Sequence, residues 1–203
     1  MTAPVKPLTI GVLALQGAYD AHVKALTAIG AIPLLVRVPA ELVGPKGKKI
    51  DGLIMPGGES TTMLKFLDRN GFFDVLKSFV APTPPYGTCA GAILLAARVE
   101  HPAQRSLGAL DITVERNAYG RQIDSTILTA PTSIPGPPLE MVFIRAPRIT
   151  RTGPAVETLA TRDGFPVLVR QVHILAATFH PELSNDTRVH QLFLDLLAQH
   201  SRK

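Results

Sequence analysis

The chain has 203 residues, 46% of them hydrophobic and 18% charged, which supplies the core of one large α/β domain and excludes a disordered segment. Its net charge of +5 comes from scattered basic residues, and with no tryptophan and few aromatics a nucleic-acid surface is not expected. One cysteine rules out an internal disulfide and fits a reducing compartment.

Residues 8–15 (LTIGVLAL) form a continuous apolar run ending at Gln16-Gly17, the pattern of a strand buried on both faces. At about eight residues the run is too short to span a membrane, and it lacks a signal-peptide arrangement, so a cytoplasmic protein is expected. Residues 18–30 carry helical apolar spacing with Gly30 as a stop, and 32–38 and 51–58 read as further strands. Residues 59–80 read as helix, break at Gly71, helix; a short strand at YGTC and a helix over 90–99 follow. Pro84 and Pro85 cannot donate to a sheet ladder, so that strand should be short or begin at Tyr86. This alternation predicts a mostly parallel central sheet with helices on both faces. The second half reads as strands joined by turns, with Asp163-Gly164 as a hairpin tip and 129–140 as a proline-rich surface loop. Residues 185–200 close the chain as an amphipathic helix capped by Asn185 or Asp186. No repeat or linker divides the sequence, so residues 1–203 are expected to form a single domain.

Residues 87–91 read G-T-C-A-G, with a glycine two positions to either side of Cys89. A free cysteine is commonly a buried apolar residue. Flanking glycines between a strand and a helix also suit a tight turn that pushes a nucleophile into a cleft, beside a helix N-terminus that favours the thiolate. Such a nucleophile needs a base. His22 and His200 read most simply as surface residues, His190 lies in the last helix, and His173 has no acidic neighbour. His180 ends an apolar run, and Glu182 two residues on could hold its imidazole; an ordinary turn with an exposed carboxylate fits the same three residues, H-P-E. Residues 56–60 (PGGES) join a strand to a helix, where backbone N–H groups could meet an oxyanion while Glu59 or Ser60 caps the helix.

GTCAG, PGGEST and FHPE, in this order, resemble the class I glutamine amidotransferases, whose triad is Cys, His and Glu. More closely, GVLALQGAYDAH (11–22), PGGESTTM (56–63), ERNAYGRQ (115–122), FIRAP (143–147) and ATFHPEL (177–183) are similar to the glutaminase subunits of pyridoxal 5′-phosphate synthase. The likeness runs from about Leu8 to the last helix.

The resemblance implies the three-layer fold of the class I amidotransferases, with antiparallel strands in the second half. It implies hydrolysis of L-glutamine to glutamate and ammonia through Cys89, His180 and Glu182 and a γ-glutamyl thioester. Gly58 and Ala90 would hold the oxyanion, and Gly57, Gly58, Glu59, Arg116, Ile144 and Arg145 would contact glutamine. Arg116 suits the substrate carboxylate and Glu59 its ammonium; Arg121 is structural or interfacial. No metal and no cofactor is implied. The ammonia would pass to a partner, a (β/α)₈-barrel synthase subunit assembled as a dodecamer decorated with glutaminase subunits. Glutaminase activity would stay low until that partner docks, with the Gln16-Gly17 loop and the Gly57-Gly58 turn as contacts. The rivals are an amidotransferase subunit serving another synthase, a hydrolase acting alone on γ-glutamyl compounds, and a non-catalytic binding subunit on the same scaffold; an intact triad argues against the last.

Overall fold

The computed structural model describes residues 7–44, 47, 49–116, 118 and 125–200, without the side chain of Asn70. In the first half the elements are β1 (Thr9–Leu13), α1 (Tyr19–Ala28), β2 (Ile32–Val36), β3 (Gly52–Met55), α2 (Ser60–Leu67), α3 (Phe72–Val80), β4 (Pro85–Thr88) and α4 (Ala90–Leu95). Then come β5 (Ala96–Glu100), β6 (Leu110–Glu115), β7 (Thr126–Ala130), β8 (Leu139–Phe143) and β9 (Arg148–Thr152). Last are β10 (Glu157–Arg162), β11 (Phe165–Gln171), β12 (Ile174–Ala177) and α5 (Arg188–His200).

The central sheet has seven strands in the order β10-β11-β12-β4-β3-β1-β2. Strands β12, β4, β3, β1 and β2 run parallel, while β10 and β11 are antiparallel additions at one edge. The outcome is the α/β architecture that the alternation predicts. Every residue of β1 and β3 is buried, because alternate side chains serve two cores. Ile10, Val12 and Ile54 point to the face covered by α1 and α5, with Leu26, Phe193 and Leu197. Leu13, Leu53 and Met55 point to the opposite face, with Met63, Leu76 and Leu94 from α2, α3 and α4. Each fully buried side chain of this size contributes about 1.5–3 kcal/mol.

Two smaller sheets, β5-β6-β9 and the hairpin β7-β8, stand beside the central one. The helix predicted over 90–99 stops at Leu95, and Ala96 (φ −56°, ψ 146°) turns the chain into β5. Alanine, leucine and arginine favour helix locally, but parallel pairing with β6, Val99 opposite Val114, overrides that preference. Strand β9 escapes the sequence pattern because only Ile149 among its five residues is apolar; it is recruited by antiparallel pairing with β6. Strand β4 is short, as the prolines require, and starts one residue before Tyr86. Pro85 takes the first position, where no ladder donor is needed, and Pro84 O accepts from Leu53 N at 3.1 Å.

The proline-rich segment is the β7–β8 connection, held by Arg188 Nη1 donating to Pro137 O at 2.8 Å. Asp163 (φ 51°) and Gly164 (φ 79°) form the expected hairpin tip between β10 and β11. Asp186 Oδ1 accepts from Arg188 N at 3.0 Å at the start of α5. Of the stretch ERNAYGRQ, Asn117 and 119–122 lie outside the described residues, Arg121 among them, as do 45, 46 and 48 of the basic loop.

Candidate active site

Because β12, β4, β3 and β1 are parallel neighbours, the chain leaves all four at one edge of the sheet. The residues that follow them, Thr178–His180, Cys89, Gly57-Gly58 and Gln16, therefore converge, where open α/β sheets place their ligands.

Cys89 stands between β4 and α4 with φ 47° and ψ −103°, a conformation that non-glycine residues avoid and that is held here by its surroundings. Its N–H donates to Ala177 O at 2.8 Å, which ties the turn to β12. A Cβ on Gly91 would lie 1.9 Å from Met55 O, and one on Gly87 would lie 2.5 Å from the Gly91 carbonyl carbon. Both glycines are steric requirements of the elbow. Ala90 is the first residue of α4, so its N–H has no partner within that helix.

His180 is set by its own N–H donating to Val142 O of β8 at 2.8 Å. The Pro181–Leu183 3₁₀ turn then brings Glu182 back, and His180 Nδ1 lies 2.8 Å from Glu182 Oε1. Glu182 is buried, so the exposed-turn reading of H-P-E does not hold. A Cβ on Gly57 would come within 2.3 Å of His180 Cε1 and 3.2 Å of Cys89 Cβ, so the thiol and imidazole meet across this glycine. Burial opposes a charge on His180, but its hydrogen bonds to Cys89 and Glu182 and the charges of those two groups outweigh it, raising its pKa to about 10. Burial likewise opposes the Glu182 carboxylate, and His22 with His180 overcomes it, holding that carboxyl below its ordinary value.

The structure corrects the reading of His22 as a surface residue. It is fully buried, with Nδ1 3.0 Å from His190 Nε2 and Nε2 3.1 Å from Thr88 Oγ1 and 3.5 Å from Glu182 Oε2. Helical phase carries the signal: His22 lies one turn from buried Leu26, and His190 is in step with Phe193, Leu194 and Leu197. Burial holds His22 below its ordinary pKa and lowers His190 to about 3, so both stay neutral in the fold. Below about pH 6.5 the unfolded chain takes up protons that the folded one binds more weakly; for His190 this removes about 1.4 kcal/mol of stability per pH unit down to about pH 3, and His22 acts in the same direction. Above that value His180 acts the other way, remaining protonated in the fold up to about 10 and losing its contribution as the pH rises through its folded pKa. Denaturant midpoints should therefore peak near pH 6.5 and fall more steeply on the acid side, and His190→Leu should flatten the acid limb.

A cleft of about 150 Å³ opens onto Cys89 and His180, suited to one small metabolite, and Gly58, Glu59, Arg116, Ile144 and Arg145 line it. Glu59 caps α2 through Thr61 N, as the capping reading of PGGES expects, and its Oε1 also lies 3.6 Å from Arg116 Nη2. Arg116 is nearly buried, while Ile144 and Arg145 form an exposed rim after β8, Arg145 with a strained φ of 44°. Gly57 sits against Cys89 and His180 rather than on the cleft wall. Ile93, two residues past GTCAG, and Pro147, the last residue of FIRAP, also line the cleft, although neither is singled out by the sequence. Gln16, singled out only as part of a loop, grips Glu59 at both backbone ends: Nε2 donates to Glu59 O at 3.1 Å and Oε1 accepts from Glu59 N at 3.3 Å. Among the described residues no group of three or more His, Cys, Asp or Glu side chains could hold a metal ion, and no helix is long and apolar enough to cross a membrane.

Residues 12–199 match the family described as the SNO glutamine amidotransferase family. The chain is 59% identical over 190 residues, 94% of its length and 96% of the relative's, to the pyridoxal 5′-phosphate synthase subunit PdxT of Koribacter versatilis strain Ellin345. It is 51% identical to the subunit of the same name from Solibacter usitatus strain Ellin6076, covering 93% and 98% of the two chains. A crystal structure of a glutamine amidotransferase superposes with a TM-score of 0.82 at 43% identity, over 93% of this chain and 98% of that one.

Proposed function

The chain belongs to the SNO glutamine amidotransferase family, and from that premise we propose how its site works: Cys89, His180 and Glu182 act as the triad of a glutaminase subunit of pyridoxal 5′-phosphate synthase. The enzyme hydrolyses L-glutamine to glutamate and ammonia and supplies the ammonia for that synthesis. The observation that carries the assignment of residues is Cys89 on a strained elbow, facing a His180 that is fixed by Glu182 at 2.8 Å. We read residues 1–203 as one glutaminase domain acting in the cytoplasm.

Arg116 takes the glutamine α-carboxylate and Glu59 the ammonium, exchanging their mutual pair for the two ends of the zwitterion. The Cys89 thiolate then attacks the side-chain amide carbon, and negative charge grows on its oxygen. The N–H groups of Gly58 and Ala90 receive that charge. The C–N bond breaks as His180, held as imidazolium by the neighbouring thiolate and carboxylate, gives its proton to the departing nitrogen, which leaves as ammonia. Once the thiolate has become a thioester its charge no longer favours an imidazolium, so the ring that has given up its proton stays neutral and free to act as a base. It then takes a proton from water, which cleaves the thioester to glutamate and restores the thiolate–imidazolium pair. Glu182 orients the ring throughout.

The acceptor of the ammonia lies on a synthase subunit, which we take to be a (β/α)₈ barrel in a dodecamer carrying glutaminase subunits on its rim. Gly57 O accepts from Ala18 N at 3.2 Å, and Gln16 grips Glu59, so the 16–18 loop controls the Gly57-Gly58 turn. A partner that moves this loop would re-aim the Gly58 N–H at the oxyanion. Glutaminase turnover should accordingly rise by about 100-fold or more when the synthase subunit is added, on the scale of one oxyanion donor. A full rate from the isolated chain, unchanged by the synthase, would remove the activation step. Failure of a barrel synthase making pyridoxal phosphate to accept the ammonia would point to the subunit of another synthase.

A further inference from the structure

The triad does not end at Glu182. Its Oε1 is used by His180, whereas Oε2 is buried with no hydrogen-bond partner among the described residues. His22 Nε2 lies 3.5 Å from Oε2 and 3.1 Å from Thr88 Oγ1. His22 Nδ1 meets His190 Nε2 at 3.0 Å, and His190 Nδ1 has no hydrogen-bond partner among the described residues. The groups facing His22 are therefore Thr88 and the Tyr86 ring from β4, His190 from α5, and Glu182 with His180 beyond it.

Only one arrangement of protons suits these contacts. A buried bare ring nitrogen costs less than a buried N–H with nothing to bond, so the unpartnered His190 Nδ1 carries no proton. His190 Nε2–H then donates to His22 Nδ1, and this leaves the His22 proton on Nε2. The opposite tautomer would aim a lone pair at a buried carboxylate. With Nε2 protonated, the N–H is shared between Thr88 Oγ1 and the field of Glu182 Oε2. At 3.5 Å the second contact is an electrostatic one, in a dry interior where such contacts are strong.

We propose that His22 is a positioning residue for the glutaminase reaction: His190 fixes it as the neutral Nε2–H tautomer, and its N–H holds Glu182 as a carboxylate turned towards His180. The relay runs His190, His22, Glu182, His180, Cys89, from helix α5 through α1 to the elbow. It rests on the triad reading above, and acts on the chemical step without touching glutamine.

The test compares His22→Met, which fills the space without a donor, with His22→Gln, whose amide nitrogen can reach the position of Nε2. Both are assayed with the synthase subunit present, after wild-type turnover and its loss in Cys89→Ala have secured the triad reading independently. His22→Met should lower kcat about 10-fold to 100-fold, the usual cost of losing a supporting hydrogen bond behind an active group, with KM unchanged. His22→Gln should recover most of that loss. The downfield proton resonance of the His180–Glu182 hydrogen bond should move upfield in His22→Met and return in His22→Gln. A folded His22→Met with wild-type kcat, or equal losses in both variants with the resonance unmoved, overturns the proposal. Nitrogen-15 spectra of the unmodified protein give a reading that no folding defect can obscure. A neutral His22 protonated on Nε2 at pH 7 is expected; a proton on Nδ1, or an imidazolium, would refute the relay.

Discussion

Cys89→Ala is expected to abolish ammonia supply from glutamine, lowering turnover by at least about 10⁴-fold, while pyridoxal phosphate synthesis fed with ammonium salts proceeds at the unmodified rate. The change deletes one sulfur from a buried position and leaves the strained turn, the cleft and the Cys89 N–H bond to Ala177 O intact. Glutamine would still bind, because Arg116 and Glu59 do not depend on the thiol. What disappears is the sulfur that the proposed mechanism uses to form the thioester, and His180 loses one of the partners that raise its pKa. Steady-state glutaminase assays beside ammonia-driven synthesis separate the two halves. Surviving glutamine-dependent turnover in a folded alanine variant would mean that another group is the nucleophile.

Gly91→Ala is the second change with a large expected effect, and it acts through backbone geometry alone. The new methyl would fall 1.9 Å from Met55 O, within bonding range of a carbonyl in the middle of the central sheet. Neither side can yield cheaply: Met55 is paired with Gly87 on β4, and α4 is buried along its whole length. Overpacking of this kind costs about 1–3 kcal/mol or more, which for a chain of this size lowers the melting temperature by roughly 2–4 °C per kcal/mol. The elbow must also shift, and a displacement of about 1 Å is enough to lose 100-fold in rate. Thermal melts and glutaminase assays should therefore both register the change, turnover more severely than stability. A variant that melts and turns over like the original would show that the elbow does not depend on this glycine.

The parallel half of the fold was legible because its strands are buried on both sides and appear as unbroken apolar runs between helices. The strands of β5 and β9 were not. Residues 96–100 have helical propensity, and β9 has a single apolar residue, so both owe their conformation to pairing with β6 rather than to local pattern. The chemical motifs were legible where spacing imposes geometry: the two glycines around Cys89, and the two-residue step from His180 to Glu182. His22 and His190 were harder because polarity suggests the surface, and only their phase with Leu26 and Phe193 indicates burial. The convergence of Gln16, Gly57, Cys89 and His180 depends on strand order, which no local stretch encodes.

The central claim is that glutamine is cleaved through a covalent bond to Cys89. Acid-quenching the enzyme during turnover with glutamine and the synthase subunit, followed by peptide mass spectrometry, tests it most directly. A γ-glutamyl adduct on the peptide containing Cys89, formed and lost at rates matching turnover, is the predicted result. Active enzyme that releases glutamate with no adduct on that peptide, or with the adduct on another residue, would contradict the account.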